Sequence, residues 1–140
     1  MQMELARKVH FESSHRYYRE DWSREQNFAV FGACANEHGH GHTYALEAYF
    51  TGPIDHDTGM IANLKDVDDL LKKVVAHLDQ KNLNQLEDFK KEIPTTEILA
   101  QFLWDELLTA QTGSNLPGEV KLSRIKLFES ENLWVEIANG

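Results

Sequence analysis

The chain has 140 residues, 41% of them hydrophobic and 26% charged, with a formal net charge of −9. That length fits one domain, residues 1–140, with a real hydrophobic core. The acidic balance argues against a nucleic-acid binder, which needs a basic surface to neutralise phosphates, and no window approaches the roughly 18 apolar residues of a membrane helix. A small anionic substrate needs only a few local cations, and the densest basic-aromatic stretch is His15-Arg16-Tyr17-Tyr18-Arg19; it reads equally as a solvated loop edge. The first residues, MQMELARKVHF, lack the apolar core of a secretory signal. The single cysteine, Cys34, excludes an internal disulfide. The expectation is a cytoplasmic protein.

In chain order, residues 4–12 are extended in character, with Leu5, Val9 and Phe11 apolar. Residues 16–36 are polar and irregular and read as a long connection, of the kind that is usually functional or disordered. Residues 42–50 alternate, placing Tyr44, Leu46, Ala48 and Phe50 on one face of a strand, and Gly52-Pro53 ends it. Over 63–78 the period changes: Leu64, Val67, Leu70, Leu71, Val74, Val75 and Leu78 recur at three- and four-residue steps. That predicts an amphipathic helix capped by Asn63. A second helix is predicted over 96–110, capped by Thr95, with Ile98, Leu99, Phe102, Leu103 and Leu107 inward. Residues 120–129 and 133–137 read as two further strands. The predicted order is ββααββ: an α+β fold with four strands in one antiparallel sheet and two helices on one face.

The most informative segment is Cys34-Ala35-Asn36-Glu37-His38-Gly39-His40-Gly41-His42. On a strand, residues two apart point to the same face with Cα atoms roughly 6.5 Å apart, so His40 and His42 can converge on one ion. His38 has the same parity and could join them. A third ligand from another strand would complete a three-nitrogen site, and His15 is well placed for it. Imidazoles suit zinc, and three protein ligands with an open position mark a catalytic site, not a structural one. His10, His56 and His77 are isolated. Cys34, six residues before His40, has three readings: a small buried side chain, an activated thiolate near the metal, or a fourth ligand that would close the site.

Several segments together resemble the family of 6-pyruvoyltetrahydropterin synthase and its relative 6-carboxytetrahydropterin synthase. Phe11 to Arg16 resembles F-x-A-x-H-R/K, and Cys34 to Tyr44 resembles C-x5-H-G-H-x-Y. Asp57 to Leu64 is similar to the family's segment entering the first helix. Leu78 to Leu83 resembles L-D-H-K/R-N-L, Pro94 to Glu97 resembles P-T-S/T-E, and Phe128-Glu129-Ser130 resembles the site of a C-terminal glutamate. The motifs keep their order over nearly the whole chain. The resemblance implies the tunnelling fold, with subunits closing into a barrel, a homohexamer built as a dimer of trimers, and an active site between subunits. It implies zinc on His15, His40 and His42, Cys34 as general base, and Asp79 in the supporting relay. It further implies that Glu129 anchors a pterin edge by charge-assisted hydrogen bonds, and that Thr95, Thr96 and Glu97 line the pterin pocket. The implied reaction converts 7,8-dihydroneopterin triphosphate to 6-pyruvoyltetrahydropterin with loss of triphosphate.

One residue departs from the pattern. Gln80 stands where the family has histidine; an amide hydrogen-bonds but carries no proton at neutral pH. It remains able to orient Cys34 or a substrate hydroxyl, with His38 or His77 as possible protonatable substitutes. The Cys34-to-His40 step resembles the 6-pyruvoyl enzymes. The short chain keeps open a 6-carboxytetrahydropterin synthase of queuosine biosynthesis, and Gln80 a non-catalytic zinc- or pterin-binding homologue.

Overall fold

The computed structural model describes residues 2–139. The alternating segments pair as strands. β1 (Leu5–His15) runs antiparallel to β2 (His40–Thr51) in an unbroken register from Leu5 opposite Phe50 to His15 opposite His40. Both strands extend beyond their apolar stretches, because the polar ends that alternation does not flag continue the ladder. Phe11, Ser13 and His15 share a buried face with Tyr44, Leu46, Ala48 and Phe50, and the Phe11 and Tyr44 rings stack at 5.0 Å.

Two helices cover that face. α2 (Leu64–Ala76) starts where Asn63 accepts a hydrogen bond from the Lys65 amide, and it buries Val67, Leu70, Leu71, Val74 and Val75. α3 (Thr96–Thr112) starts where Thr95 accepts from the Ile98 amide, and it buries Leu99, Leu103 and Leu107. β4 (Lys121–Ser130) and β5 (Leu133–Ala138) form the closing hairpin. The opposite sheet face is charged: Lys8 pairs with Glu47 at 3.2 Å and Lys126 with Glu136 at 3.6 Å. No helix among the described residues is long and apolar enough to cross a membrane.

The sheet corrects the predicted architecture in two places. It has five strands in the order β3-β1-β2-β4-β5, because β3 (Lys81–Asn82) pairs parallel to β1. Two residues are too few for any alternation to show. The stretch predicted as a connection contains a third helix, α1 (Arg24–Phe31), followed by a 3₁₀ turn over Gly32–Ala35. α1 has no apolar stripe; its one buried residue is Asn27. It is held by the Ser23 cap and by the Asn27 amide, which bonds the Arg19 N–H and C=O at 2.7 and 2.9 Å. The order is therefore β1-α1-β2-α2-β3-α3-β4-β5. Two register shifts in β4 matter for the site. One, opposite Tyr49 and Phe50, moves Leu122 onto the same face as Ile125 and Leu127. The other falls between Phe128 and Ser130, at Glu129.

Candidate metal centre

The β1–β2 register brings three imidazoles to one end of the buried face. His15 lies directly opposite His40, and His42 lies opposite Ser13. Ring centroids are 4.8 Å apart for His15 and His40, 5.0 Å for His15 and His42, and 4.8 Å for His40 and His42. One nitrogen from each lies within 4.8 Å of the others, which is the separation a single ion can bridge. Cys34 and His38 do not belong to this donor group; His38 is exposed, two residues ahead of the strand.

His15 is 1% exposed, and its orientation is set by its second nitrogen. Nδ1 lies 2.9 Å from the Pro94 carbonyl, which only accepts, so Nδ1 carries the proton. The Tyr44 hydroxyl is 3.2 Å from the same nitrogen. That leaves Nε2 of His15 as a bare lone pair. Nε2 of His15 and Nε2 of His42 are both buried without a hydrogen-bond partner, an arrangement that costs about 1–3 kcal/mol per group in a finished core. The residues present therefore fit a metal ion. Burial pushes His15 down to about 4, against the upward pull of the Pro94 carbonyl and Glu129, and burial also lowers His42. At neutral pH both are the neutral imidazoles that a metal requires.

Glu129 closes one side of the cluster. Its Oε1 lies 3.4 Å from His15 Nε2 and 3.7 Å from His42 Nε2, and it accepts a hydrogen bond from Thr96 Oγ1 at 3.2 Å. Thr96 is 1% exposed. Thr95 spends its hydroxyl on the cap of α3, and Glu97 is exposed in its first turn. Cys34 sits half-buried in the 3₁₀ turn, and its carbonyl accepts from the Tyr17 N–H at 2.8 Å.

The pair next to β3 is placed differently. Asp79 Oδ1 accepts from the Glu12 N–H at 2.9 Å, and Gln80 Nε2 donates to Glu12 Oε2 at 3.0 Å. Neither side chain hydrogen-bonds Cys34 within the chain. In the basic-aromatic stretch, Arg19 pairs with Asp21 at 2.6 Å. Arg16 donates to the Ala35 carbonyl at 3.1 Å and covers the Tyr18 ring at 3.8 Å.

Three groups at the centre escape a sequence reading. Tyr17 meets the His15 ring edge-on at 5.0 Å; burial, with Glu129 and Cys34 nearby, pushes its phenol up to about 12. Tyr17 shares parity with His15, which was the available signal. Tyr44 appears as a core aromatic and as the last residue of the Cys34–Tyr44 segment, with nothing to mark its hydroxyl as a neighbour of His15, and the Pro94 carbonyl has no signature at all. Gly39 has a stricter role. Its φ is +66°, and a Cβ there would stand 2.5 Å from the His15 carbonyl oxygen, so only glycine lets the loop lie against β1.

Fold and centre together define an α+β protein with three histidines grouped so that they could hold a metal ion, on the helix-covered face of its sheet. The chain belongs to the 6-pyruvoyl tetrahydropterin synthase family, whose model matches residues 4–139. It is 38% identical over 133 residues to the 6-pyruvoyl tetrahydrobiopterin synthase of Dictyostelium discoideum, covering 94% of this chain and 92% of that one. It is 31% identical over 137 residues to the dihydroneopterin monophosphate aldolase of Pyrococcus furiosus, covering 98% of both. The structure of Caenorhabditis elegans 6-pyruvoyl tetrahydropterin synthase superposes with a TM-score of 0.88 at 25% identity, over 100% of this chain and 97% of that one.

Gly39→Ala should weaken metal binding by about tenfold or more, because it pushes the loop off the backbone of a ligand. Gly118→Ala, where an added Cβ meets nothing within 4 Å, should leave it unchanged; titration calorimetry on the two variants checks this. The metal-free protein should also be acid-sensitive. His15 titrates near 4 when folded and near its ordinary 6.5 when unfolded, so unfolding takes up a proton between those values. The stability this contributes is complete above pH 6.5 and is lost as pH falls towards 4. Urea unfolding should show a loss of roughly 2 kcal/mol from pH 7 to pH 5, flattened in His15→Asn.

Proposed function

We propose that the protein is a zinc-dependent carbon-oxygen lyase that converts 7,8-dihydroneopterin triphosphate to 6-pyruvoyltetrahydropterin and releases triphosphate. The observation that carries this reading is the convergence of His15, His40 and His42 with Glu129 at their open side, in a chain of this family. His15, His40 and His42 hold the ion, and zinc is the metal that neutral imidazoles suit. Bound zinc would supply Lewis-acid polarisation of the substrate's side-chain oxygens. Cys34 takes and returns the proton that moves between the side chain and the ring. Glu129 holds the amino-pyrimidine edge of the pterin by paired hydrogen bonds, and Thr96, already bonded to Glu129 Oε1, fixes that carboxylate. Thr95 and Glu97, at the start of α3, complete the pocket wall.

Asp79 and Gln80 contact Glu12 and not Cys34 within the chain; in an oligomer they would support the Cys34 of a neighbouring subunit. We infer a homohexamer, a dimer of trimers whose sheets close into a barrel, as the functional form. The open edge of β5, with Leu133 46% and Trp134 47% exposed, supports this, since natural sheets seldom leave an apolar edge uncovered. Light scattering of purified protein should give a hexamer or at least a trimer. A stable monomer at micromolar concentration would remove the shared active site.

The reading is tested by product analysis with dihydroneopterin triphosphate, which separates the 6-pyruvoyl product from 6-carboxytetrahydropterin and from aldolase products. Cys34→Ala should cost about 10²–10⁴ in rate while zinc and pterin still bind. Glu129→Gln should weaken pterin binding by about tenfold or more with zinc content unchanged. Turnover insensitive to Cys34→Ala rules out the cysteine base, and tight pterin binding without turnover marks a non-catalytic homologue.

A further inference from the structure

His15 closes β1, and the next side chain on its parity is Tyr17, one position beyond the Arg16 that ends the first motif. Three contacts fix it. Its N–H donates to the Cys34 carbonyl at 2.8 Å, which ties the chain leaving β1 to the turn that carries the cysteine. On one side its ring meets the His15 ring edge-on, with centroids 5.0 Å apart at 66°. On the other it meets Phe31, the last residue of α1, at 5.9 Å and 81°. Phe31 in turn stacks on Trp22 at 5.7 Å. An aromatic row therefore runs from the histidines out to α1. Through it α1, a helix without an apolar stripe, backs Tyr17 against the centre.

The polar surroundings of the phenol are those of the site. Thr96, Glu129, Cys34 and Glu97 are its neighbours, so it lies between the carboxylate read as the pterin anchor and the thiol read as the base. Most donors of this group are committed. His15 gives its Nδ1 proton to the Pro94 carbonyl. Thr96 gives its own to Glu129 Oε1 at 3.2 Å, and a carboxylate only accepts. The Tyr44 hydroxyl belongs to a residue with no exposure at all. Tyr17 is half-buried, and a phenol is an O–H donor at neutral pH. It is the donor of this group that a bound molecule can reach.

We propose that Tyr17 is a substrate-contacting residue whose hydroxyl donates a hydrogen bond to a side-chain oxygen of the pterin, between Glu129 and Cys34. The assignment rests on the lyase reading above and extends it to a residue outside the motifs. A pterin held by its edge on Glu129 and deprotonated by Cys34 spans the interval between these two groups, which is where the phenol lies. In that reaction the side-chain carbon beside the ring gives up an electron pair to the ring, and the hydroxyl on that carbon becomes a carbonyl. The carbon-bound proton and the hydroxyl proton both end on the ring, so the step balances without another reactant. Negative charge gathers on the oxygen as its proton leaves, and a fixed donor there lowers the barrier. Tyr17 keeps its own proton throughout.

Two measurements on the zinc-loaded, full-length protein test this. The first needs no turnover. It is a fluorescence titration with neopterin, which carries the hydroxylated side chain, and with pterin, which has hydrogen in its place. Tyr17→Phe keeps the ring against His15 and Phe31, so zinc content and melting temperature should not change. It should weaken neopterin binding by about threefold or more and leave pterin binding as it was. Equal effects on the two ligands, or none on either, overturn the proposal. Loss of zinc overturns it too, because the phenol would then serve the centre and not the substrate. The second measurement is turnover of dihydroneopterin triphosphate. Tyr17→Phe should lower kcat/KM by about tenfold or more. That factor should exceed the loss of neopterin affinity, since the bond strengthens as charge gathers on the oxygen. A kcat/KM loss no larger than the affinity loss overturns the donor role. Absence of turnover in the parent, with the neopterin difference present, overturns the lyase reading and leaves the Tyr17 contact standing.

Discussion

The ladder between β1 and β2 carries both the core and the centre. Its 11 residue pairs run without a bulge from Leu5 opposite Phe50 to His15 opposite His40. The residues that face the helices in the middle of this ladder, Phe11 with Tyr44 and Leu46, are on the same side as the histidines at its end. A slip of one residue would turn the whole set to the charged face, where Lys8 and Glu47 pair. Core burial therefore enforces ligand geometry: the apolar contacts that hold the strands in register also hold His15 against His40. Tyr44 links the two roles, with its ring stacked on Phe11 and its hydroxyl 3.2 Å from His15 Nδ1.

The centre is organised at the expense of stability. Two imidazole nitrogens are buried with no partner, and His15 is kept neutral by burial to a pKa of about 4. The unpartnered nitrogens oppose folding of the metal-free chain, and the lowered His15 value opposes it only as pH falls below 6.5. A bound ion removes that penalty, because it engages the nitrogens that nothing else satisfies. The unusual backbone is placed around the same strand. Gly39, at positive φ, lets the loop reach the His15 carbonyl, and Gln80, also at positive φ, is bonded to Glu12 three residues earlier in β1.

Much of the fold was legible in residue order. The helices at 63–78 and 96–110 were visible because their apolar residues keep a helical step and because Asn63 and Thr95 are caps of a recognisable kind, each bonding the amide that capping requires. α1 was not visible, since a helix anchored by a buried asparagine shows no apolar period. β3 was not visible because two residues carry no pattern. The long stretch between β1 and β2 read as irregular for the same reason: its contacts, Tyr17 to Cys34 and Arg16 to Ala35, are backbone-directed and leave no mark on composition.

The sequence by itself determined the ingredients of the centre. His40 and His42 fall on one face because strand parity is local, and ordered motifs from Phe11 to Ser130 identify the family without any coordinates. What only the tertiary structure decided is which distant groups those histidines meet. His15 rather than His38 completes the donor group, because the register set by core packing puts His15 opposite His40. Glu129 reaches His15 because it follows Ile125 and Leu127 onto the core face at a register shift in β4. Asp79 and Gln80 turn to Glu12 because a parallel two-residue strand brings them to the β1 edge. Each of these depends on pairing between segments tens of residues apart. No local period encodes such pairings; they follow from burying one common face.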